Sequence, residues 1–346
     1  MSATGRSIVY VSCSKGACIE VLALDRATGE LTPIETVALA ASGMPLAISP
    51  TKHFLFAAVS ADVDGSPEPR YALYHIDQNT GRLRHGHTIK APGRMSHITV
   101  DRSGGYLLGA SVANDLIAST AINIDGTLNP DPVAIHPVPS KAHQITTDLS
   151  NTYAYVPNLG ADLVSQLKFD ADTGTFADNT PNHITQPEGA APRHIAHHPG
   201  GHYAYLLNEE NGSIAAFKIA PQTGTLEQFQ TSSFLPDNFD GKPWGAQILI
   251  TSDGRFLYAS DRTSSTLWLH TIDPDTGHMT KRQSWPTETC PRNFALDPSG
   301  HYLIAAGETS NRVTCYAIDQ DTGSLAEKSS IATGAGPLWI EILDLD

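Results

Sequence analysis

The chain predicts an all-β fold: one seven-bladed β-propeller over residues 1–346, built of four-stranded antiparallel blades. The C-terminal strand is expected to pair in the N-terminal blade and close the ring. Three observations carry this. A turn phrase, Asp-x-x-Thr-Gly or a close variant, stands at Asp25–Gly29, Asp77–Gly81, Asp170–Gly174, Asp273–Gly277 and Asp319–Gly323, with degenerate copies at Pro221–Gly224 and Ile124–Gly126. Its seven glycines are 45 to 53 residues apart, a period that marks propeller repeats. No segment sustains helical periodicity.

Each repeat has one grammar. It opens on an apolar run ending near Asp, Ser or Pro, as in Ile98–Asp101, Ile145–Asp148, Ile195–Pro199, Ile248–Thr251 and Phe294–Pro298. A tight turn then leads into an aromatic-rich alternating strand: Tyr106–Ala110, Tyr153–Val156, Tyr203–Leu206, Phe256–Ala259 and Tyr302–Ala305. A third strand follows, such as Thr266–Ile272 or Arg312–Ile318, and the Asp-x-x-Thr-Gly turn enters a fourth, more polar one. At the ends, Ile8–Ser12 reads as a second-type strand and Pro337–Ile342 as a first-type strand. Joining them gives seven of each and removes two open sheet edges.

Composition narrows the function classes. A net charge of −14 opposes a nucleic-acid surface, which needs a basic face. No apolar run approaches the roughly 18 residues of a membrane span, and Met1–Arg6 lacks the apolar stretch of a signal peptide. Cys13, Cys18, Cys290 and Cys315 show no metal or redox spacing and read as reduced thiols of a cytosolic protein. The dinucleotide, Walker, HExxH and nucleophile-elbow motifs are absent. His197-His198 alternates faces before Pro199 and reads as structural. No cofactor and no metal are expected.

In a four-stranded blade, first strands begin and second strands end on the same face of the disc. Aligning the repeats on the strand-two aromatic brings Met44, Ser96, His143, Arg193, Ala246, Arg292 and Leu338 to one position. The next position holds Pro45, His97, Gln144, His194, Gln247, Asn293 and Trp339, and the loop after strand two adds Glu209, Arg262 and Glu308. A structural position repeats one kind of residue; these differ blade by blade, as a site grafted on a symmetric scaffold would. Arg193 and Arg292 suit phosphate or carboxylate recognition, and two such cations facing one axis call for an anion between them. His143 titrates near working pH and is a candidate base. Glu209, ionised beside arginines, is the other. Arg262 either joins the site or pairs with Asp261, while His194, His97, Gln247 and Glu308 contact substrate or support those that do.

Ala191-Pro192-Arg193-His194, Tyr203–Glu209, Ser252–Thr263 and Ser299–Gly307 resemble the propeller-type bacterial 6-phosphogluconolactonase family, as do Phe234–Phe239 and Pro286–Thr289 before Pro291-Arg292. The resemblance covers nearly the whole chain and is strongest from Ala190 onward. It implies a metal-free cytosolic lactone hydrolase of the oxidative pentose phosphate route, acting on a small anionic sugar lactone. From the wider family, which includes carboxymuconate-lactonising enzymes, it carries functional roles to His143, Arg193, Glu209 and Arg262. Gln247 and Leu249 replace the family's Asp and His, and Glu308 replaces a Gln, which leaves the sugar acid and its phosphate open.

The expected reaction is hydrolysis of a sugar-acid lactone, with 6-phosphogluconolactone first. His143 or Glu209 activates water, Arg193 stabilises the carbonyl oxygen, and Arg292 with Arg262 holds the anion. A lactonase for an unphosphorylated aldonate, or a lactonising cycloisomerase, is the alternative. A non-catalytic protein-binding propeller is the reading from another class, and it predicts exposed aromatic patches instead. A His base would give an acid limb at roughly pH 6.5, a Glu base one at roughly 4.3. The chain is expected to be a monomer or weak homo-oligomer, without nucleic-acid or membrane partners.

Overall fold

A computed structural model describes residues 5–63, 66–236 and 239–345. Residues 1–4, Asp64, Gly65, Asp237 and Asn238 of the Phe234–Phe239 stretch, and Asp346 lie outside the described residues, as do the side chains of Met44 and of residues 61–63, 66 and 67. The described residues form seven four-stranded antiparallel sheets and no helix. Blade one joins the two ends of the chain: Pro337–Asp344 is the inner strand, followed outward by Arg6–Cys13, Cys18–Asp25 and Leu31–Ala38. Blades two to seven run in chain order from inner strands at Ser42–Ile48, His97–Val100, Thr146–Thr147, Pro192–His197, Gly245–Ile250 and Pro291–Leu296. The expected closure is present, with Val9 opposite Ile342 and Val11 opposite Ile340.

The repeated turn explains itself chemically. Asp319 Oδ1 accepts the backbone N–H groups of Asp321 at 3.1 Å and Thr322 at 2.8 Å, and the Thr322 hydroxyl at 2.8 Å. The Gly323 N–H then returns to the Asp319 carbonyl at 2.8 Å. The aspartate side chain thus imitates a backbone turn. Gly277, in the equivalent turn of blade six, has φ +72°, and a Cβ there would stand 2.7 Å from the Tyr203 ring of blade five. That turn needs glycine both for its backbone angle and for the close approach.

The same turns fasten neighbouring blades. Strand-two tyrosines donate their hydroxyls to turn carbonyls of the next blade: Tyr10 to Gly81 at 2.8 Å, Tyr155 to Gly224 at 2.7 Å, Tyr205 to Gly277 at 2.8 Å and Tyr258 to Gly323 at 2.7 Å. Above each clamp lies an inter-blade core. Between blades five and six it includes Leu207, Phe234, Ile248, Leu257 and Trp268. Burying each such side chain contributes about 1.5–3 kcal/mol.

Candidate active site

The inner strands are regular at the turn face and irregular at the opposite one. Pairing slips between Gly43 and Leu46, Pro192 and His194, Gly245 and Ile248, and Pro291 and Asn293. In the closing strand it slips where Ser12 faces Trp339 and Cys13 faces Pro337. Each slip is a bulge, which bends a strand and re-aims a side chain. The extra residues include Arg193, Ala246, Arg292 and Leu338, four members of the aligned sequence position. Two residues before His143, Arg193, Arg292 and Leu338 stand Lys141, Ala191, Cys290 and Gly336, at φ +58°, +55°, +59° and +68°. A left-handed residue turns the chain and the next residues enter the mouth.

His143 enters just before the very short inner strand of blade four. Its backbone N–H donates to the Pro157 carbonyl at 2.9 Å. The Ser96 hydroxyl lies 3.0 Å from the Ala110 carbonyl, 3.2 Å from that of Ala142 and 3.1 Å from that of His143, tying blade three to blade four.

At the axis, these elements enclose a cavity of about 240 Å³. That is small beside the roughly 300–1,000 Å³ of drug-sized ligand pockets. His143, Arg193, Arg292 and Glu308 line it, together with Arg94, Ser14, Ser42, Ser96 and Trp339. Three guanidiniums stand against one carboxylate, so the cavity favours an anion although the chain carries −14.

Glu209 and Arg262 do not reach this wall; they stand behind it. Glu209 Oε2 lies 2.8 Å from Arg193 Nε and 2.9 Å from Arg262 Nη2, and Trp244 Nε1 donates to Oε1 at 3.1 Å. Arg262 also covers the Trp244 ring at 4.0 Å and donates to the Gly245 carbonyl at 2.9 Å. Its expected alternative partner, Asp261, instead accepts from Trp244 N and Ser264. Arg193 Nη1 donates to the Ala246 carbonyl. The anion between two arginines is therefore supplied by the protein, between Arg193 and Arg262. Arg292 meets Glu308 more loosely, at 3.8 Å.

His97, His194 and Gln247 form the layer below. His194 Nδ1 is 2.5 Å from Gln247 Oε1, and the His194 ring lies 5.0 Å from His143 and 6.0 Å from His97. Trp339, 5.4 Å from His97, borders both the first cavity and a second one of about 320 Å³ deeper along the axis. His97 and Gln247 line the second cavity, not the first. Trp339 is held by Glu341, which accepts its Nε1–H at 2.9 Å. Glu341 lies deep in the channel, where burial pushes its carboxyl up to about 7 against the pull of that hydrogen bond.

Electrostatics follow from enclosure. Burial first, then Arg193, His194, Arg292 and His97, hold His143 well below its ordinary 6.5. Burial and Arg193 bring His97 to about 3 and lower His194 strongly. All three are neutral near pH 7. Burial, and next Arg262, press against the Arg193 charge, and Glu209 offsets them; a guanidinium keeps its proton under such conditions. His143 Nδ1 is buried with no partner among the described residues, so the ring is oriented by packing rather than by a carboxylate. Among the described residues no group of three His, Cys, Asp or Glu is arranged to hold a metal.

The aligned position thus brought His143, Arg193 and Arg292 together with Glu308, while Glu209, Arg262, His194, His97 and Gln247 surround them. It passed over Arg94, two residues before the aligned Ser96, and Ser14 and Ser42. None lies at a position that recurs usefully between repeats. Arg94 nevertheless has a local signal: a guanidinium just before a first strand, near the end of the strand at which Arg193 and Arg292 stand in their own blades.

A family model described as "Lactonase, 7-bladed beta-propeller" matches residues 8–342. The chain is 33% identical over 341 residues to the 6-phosphogluconolactonase of Pectobacterium carotovorum, covering 99% of this chain and 100% of that one. It is 33% identical over 337 residues to that of Klebsiella pneumoniae, covering 97% and 99%. Among solved structures, the Pseudomonas aeruginosa periplasmic gluconolactonase superposes with TM-score 0.90 at 24% identity, covering 99% and 100%. A crystal structure described as a putative 6-phosphogluconolactonase from Bacteroides fragilis does so with TM-score 0.88 at 24% identity and the same coverage. These structural likenesses establish the shared fold.

Proposed function

This chain belongs to the seven-bladed β-propeller lactonase family, and from that premise we propose that it hydrolyses 6-phospho-D-glucono-1,5-lactone to 6-phosphogluconate without a metal. The observation that carries the reading is one small cavity in which a neutral imidazole, His143, meets the guanidiniums of Arg193 and Arg292. Full-length relatives named 6-phosphogluconolactonase support the substrate. Four free cysteines agree with a cytosolic setting.

The chemistry asks little of the protein. Water oxygen bonds to the lactone carbonyl carbon while His143 takes the water's proton. The carbonyl oxygen becomes an oxyanion beside Arg193, whose charge is already desolvated and aimed. The carbon–ring-oxygen bond then breaks, and the imidazolium returns its proton to the leaving oxygen. Arg292, whose charge also acts on His143, adds positive potential on the side of the reacting carbonyl. Glu209 is assigned the positioning of Arg193, with Arg262 balancing it, because both its oxygens are engaged away from the cavity. Arg262 therefore acts through Glu209 rather than on the substrate.

The acid limb of kcat/KM belongs below 6.5, since His143 is held below that value in the fold. The test is proton release from fresh 6-phosphogluconolactone and gluconolactone, with and without EDTA. Turnover of the phosphorylated lactone that survives EDTA is expected, and His143→Ala should lower kcat by about 10²-fold or more. Turnover of neither lactone, or EDTA loss restored by a metal, would remove the reading. A dead Glu209→Gln beside a normal His143→Ala would exchange the two roles.

A further inference from the structure

The cavity has two unlike sides. Blades four, five and seven bring His143, Arg193 and Arg292, while blades one to three bring Ser14, Ser42 and Arg94. Arg292 acts on the first side: its charge lowers His143, Arg193 and His194, and it is partly matched by Glu308 at 3.8 Å. Arg94 has no acidic partner among the described residues. Two arginines in one cavity therefore address different places.

Arg94 is also built into its loop. Its N–H donates to Asn114 Oδ1 at 3.1 Å, and its carbonyl accepts the Ser111 hydroxyl at 2.8 Å. Ser111 in turn lies 2.9 Å from Asn114 Oδ1. A Cβ on the preceding Gly93 would stand 2.7 Å from that same oxygen, so only glycine lets the loop sit so close. The backbone is pinned while the side chain is exposed to the cavity. Close by, the Ser42 hydroxyl has no partner among the described residues. Ser14 shares its hydroxyl with the Gly336 carbonyl at 3.1 Å, which leaves oxygen lone pairs and a rotatable proton at the wall.

We propose that Arg94, with the hydroxyls of Ser42 and Ser14, forms the subsite for a phosphate monoester on the distal end of the lactone, across the cavity from His143 and Arg193. The assignment rests on the lactonase reading and deepens it by naming the side chains that take the substrate's phosphate. An unpaired guanidinium presents parallel N–H groups that match two phosphate oxygens, and hydroxyl donors fill the third direction. The reacting carbonyl then falls to the opposite side, where the neutral imidazole and the buried guanidinium stand.

The test is a ratio. Calorimetry on the wild type, Arg94→Ala, Arg94→Lys and Arg292→Ala proteins would use 6-phosphogluconate, gluconate and inorganic phosphate. Steady-state kinetics on the phosphorylated and unphosphorylated lactones would run in parallel. In Arg94→Ala the preference for phosphorylated over unphosphorylated ligand should fall about 10- to 100-fold, the range for a lost charged hydrogen-bond partner. Arg94→Lys should keep part of that preference, as a point charge does. An unchanged ratio in Arg94→Ala, or a selective loss seen in Arg292→Ala instead, would overturn the subsite. If neither lactone is hydrolysed the lactonase reading falls, and calorimetry still decides whether Arg94 selects phosphate.

Discussion

The two faces of the disc use the same strands for opposite ends. On one face, the turns between third and fourth strands repeat a single chemistry: Asp319, Asp273, Asp170 and Asp77 each fold the backbone onto a carboxylate, and the following glycine meets the preceding blade. On the other face the group at the axis changes from blade to blade, with arginine alone recurring: Ser96, His143, Arg193, Ala246, Arg292 and Leu338 occupy one equivalent position. The first face needs sameness because each turn docks on the equivalent strand of its neighbour. The second needs difference because a substrate has no sevenfold symmetry. The contrast teaches where repetition carries stability and where its failure carries chemistry.

The largest way to break the comparison is to remove the strand that serves both faces. Pro337–Asp344 closes the ring and also brings Leu338 and Trp339 to the mouth. Deleting Gly336–Asp346 should abolish cooperative unfolding, followed by urea titration, because it opens two sheet edges and strips the inner strand of blade one. A truncated chain with a sharp transition at the wild-type midpoint would mean that closure is not what holds the ring.

Next come one substitution on each face. Glu209→Gln removes the carboxylate shared by Arg193 and Arg262, whose side chains are each 2% exposed, and should cost about 3–5 kcal/mol as well as activity. Gly277→Ala forces a Cβ onto Tyr203 at φ +72° and should cost about 1–3 kcal/mol while the folded fraction keeps its kcat. Equal loss of kcat in both variants would show that the faces are not separable.

The smallest effect is a difference in pH window. His143 and His194 are held well below 6.5, His97 at about 3, and His197 and His270 at about 4. The unfolded chain binds protons at these sites before the folded one does, so their stabilisation is complete above 6.5 and lost as pH falls toward the folded values. Glu341, raised to about 7, has the opposite sign: its contribution is present below 4.5 and lost as pH rises through 7. Five groups outweigh one. The turn aspartates, lowered from 3.8 by threonine hydroxyls and backbone N–H groups, lose their contribution only below 3.8. Urea midpoints should therefore decline between pH 6.5 and 4.5 and again below 3.8. A flat profile from 7 to 4.5 would mean that the buried histidines are not held neutral.

What the sequence determined by itself is whatever a local rule repeats. The Asp-x-x-Thr-Gly turn is an interaction of residues two to four apart, so each copy announces its own geometry. Thr266–Ile272 and Arg312–Ile318 were legible as whole strands because a short apolar, β-branched and aromatic run bounded by turn residues is a local signal too. The closure followed from counting strand types, and His143, Arg193 and Arg292 followed from one register. What only the tertiary structure decided is which neighbours those residues meet. The bulges at Arg193 and Arg292 re-aim side chains that alternation alone would misplace. Glu209 read as a candidate base beside arginines until blade six set Arg262 and Trp244 against it and engaged both its oxygens. Arg94 looked like any loop arginine until blades one, two and three curved it into the cavity beside Ser14 and Ser42. The physical reason is one of range: turns and strands are written in contacts between near neighbours in the chain, whereas the mouth is assembled by ring closure from residues as distant as Ser14 and Trp339.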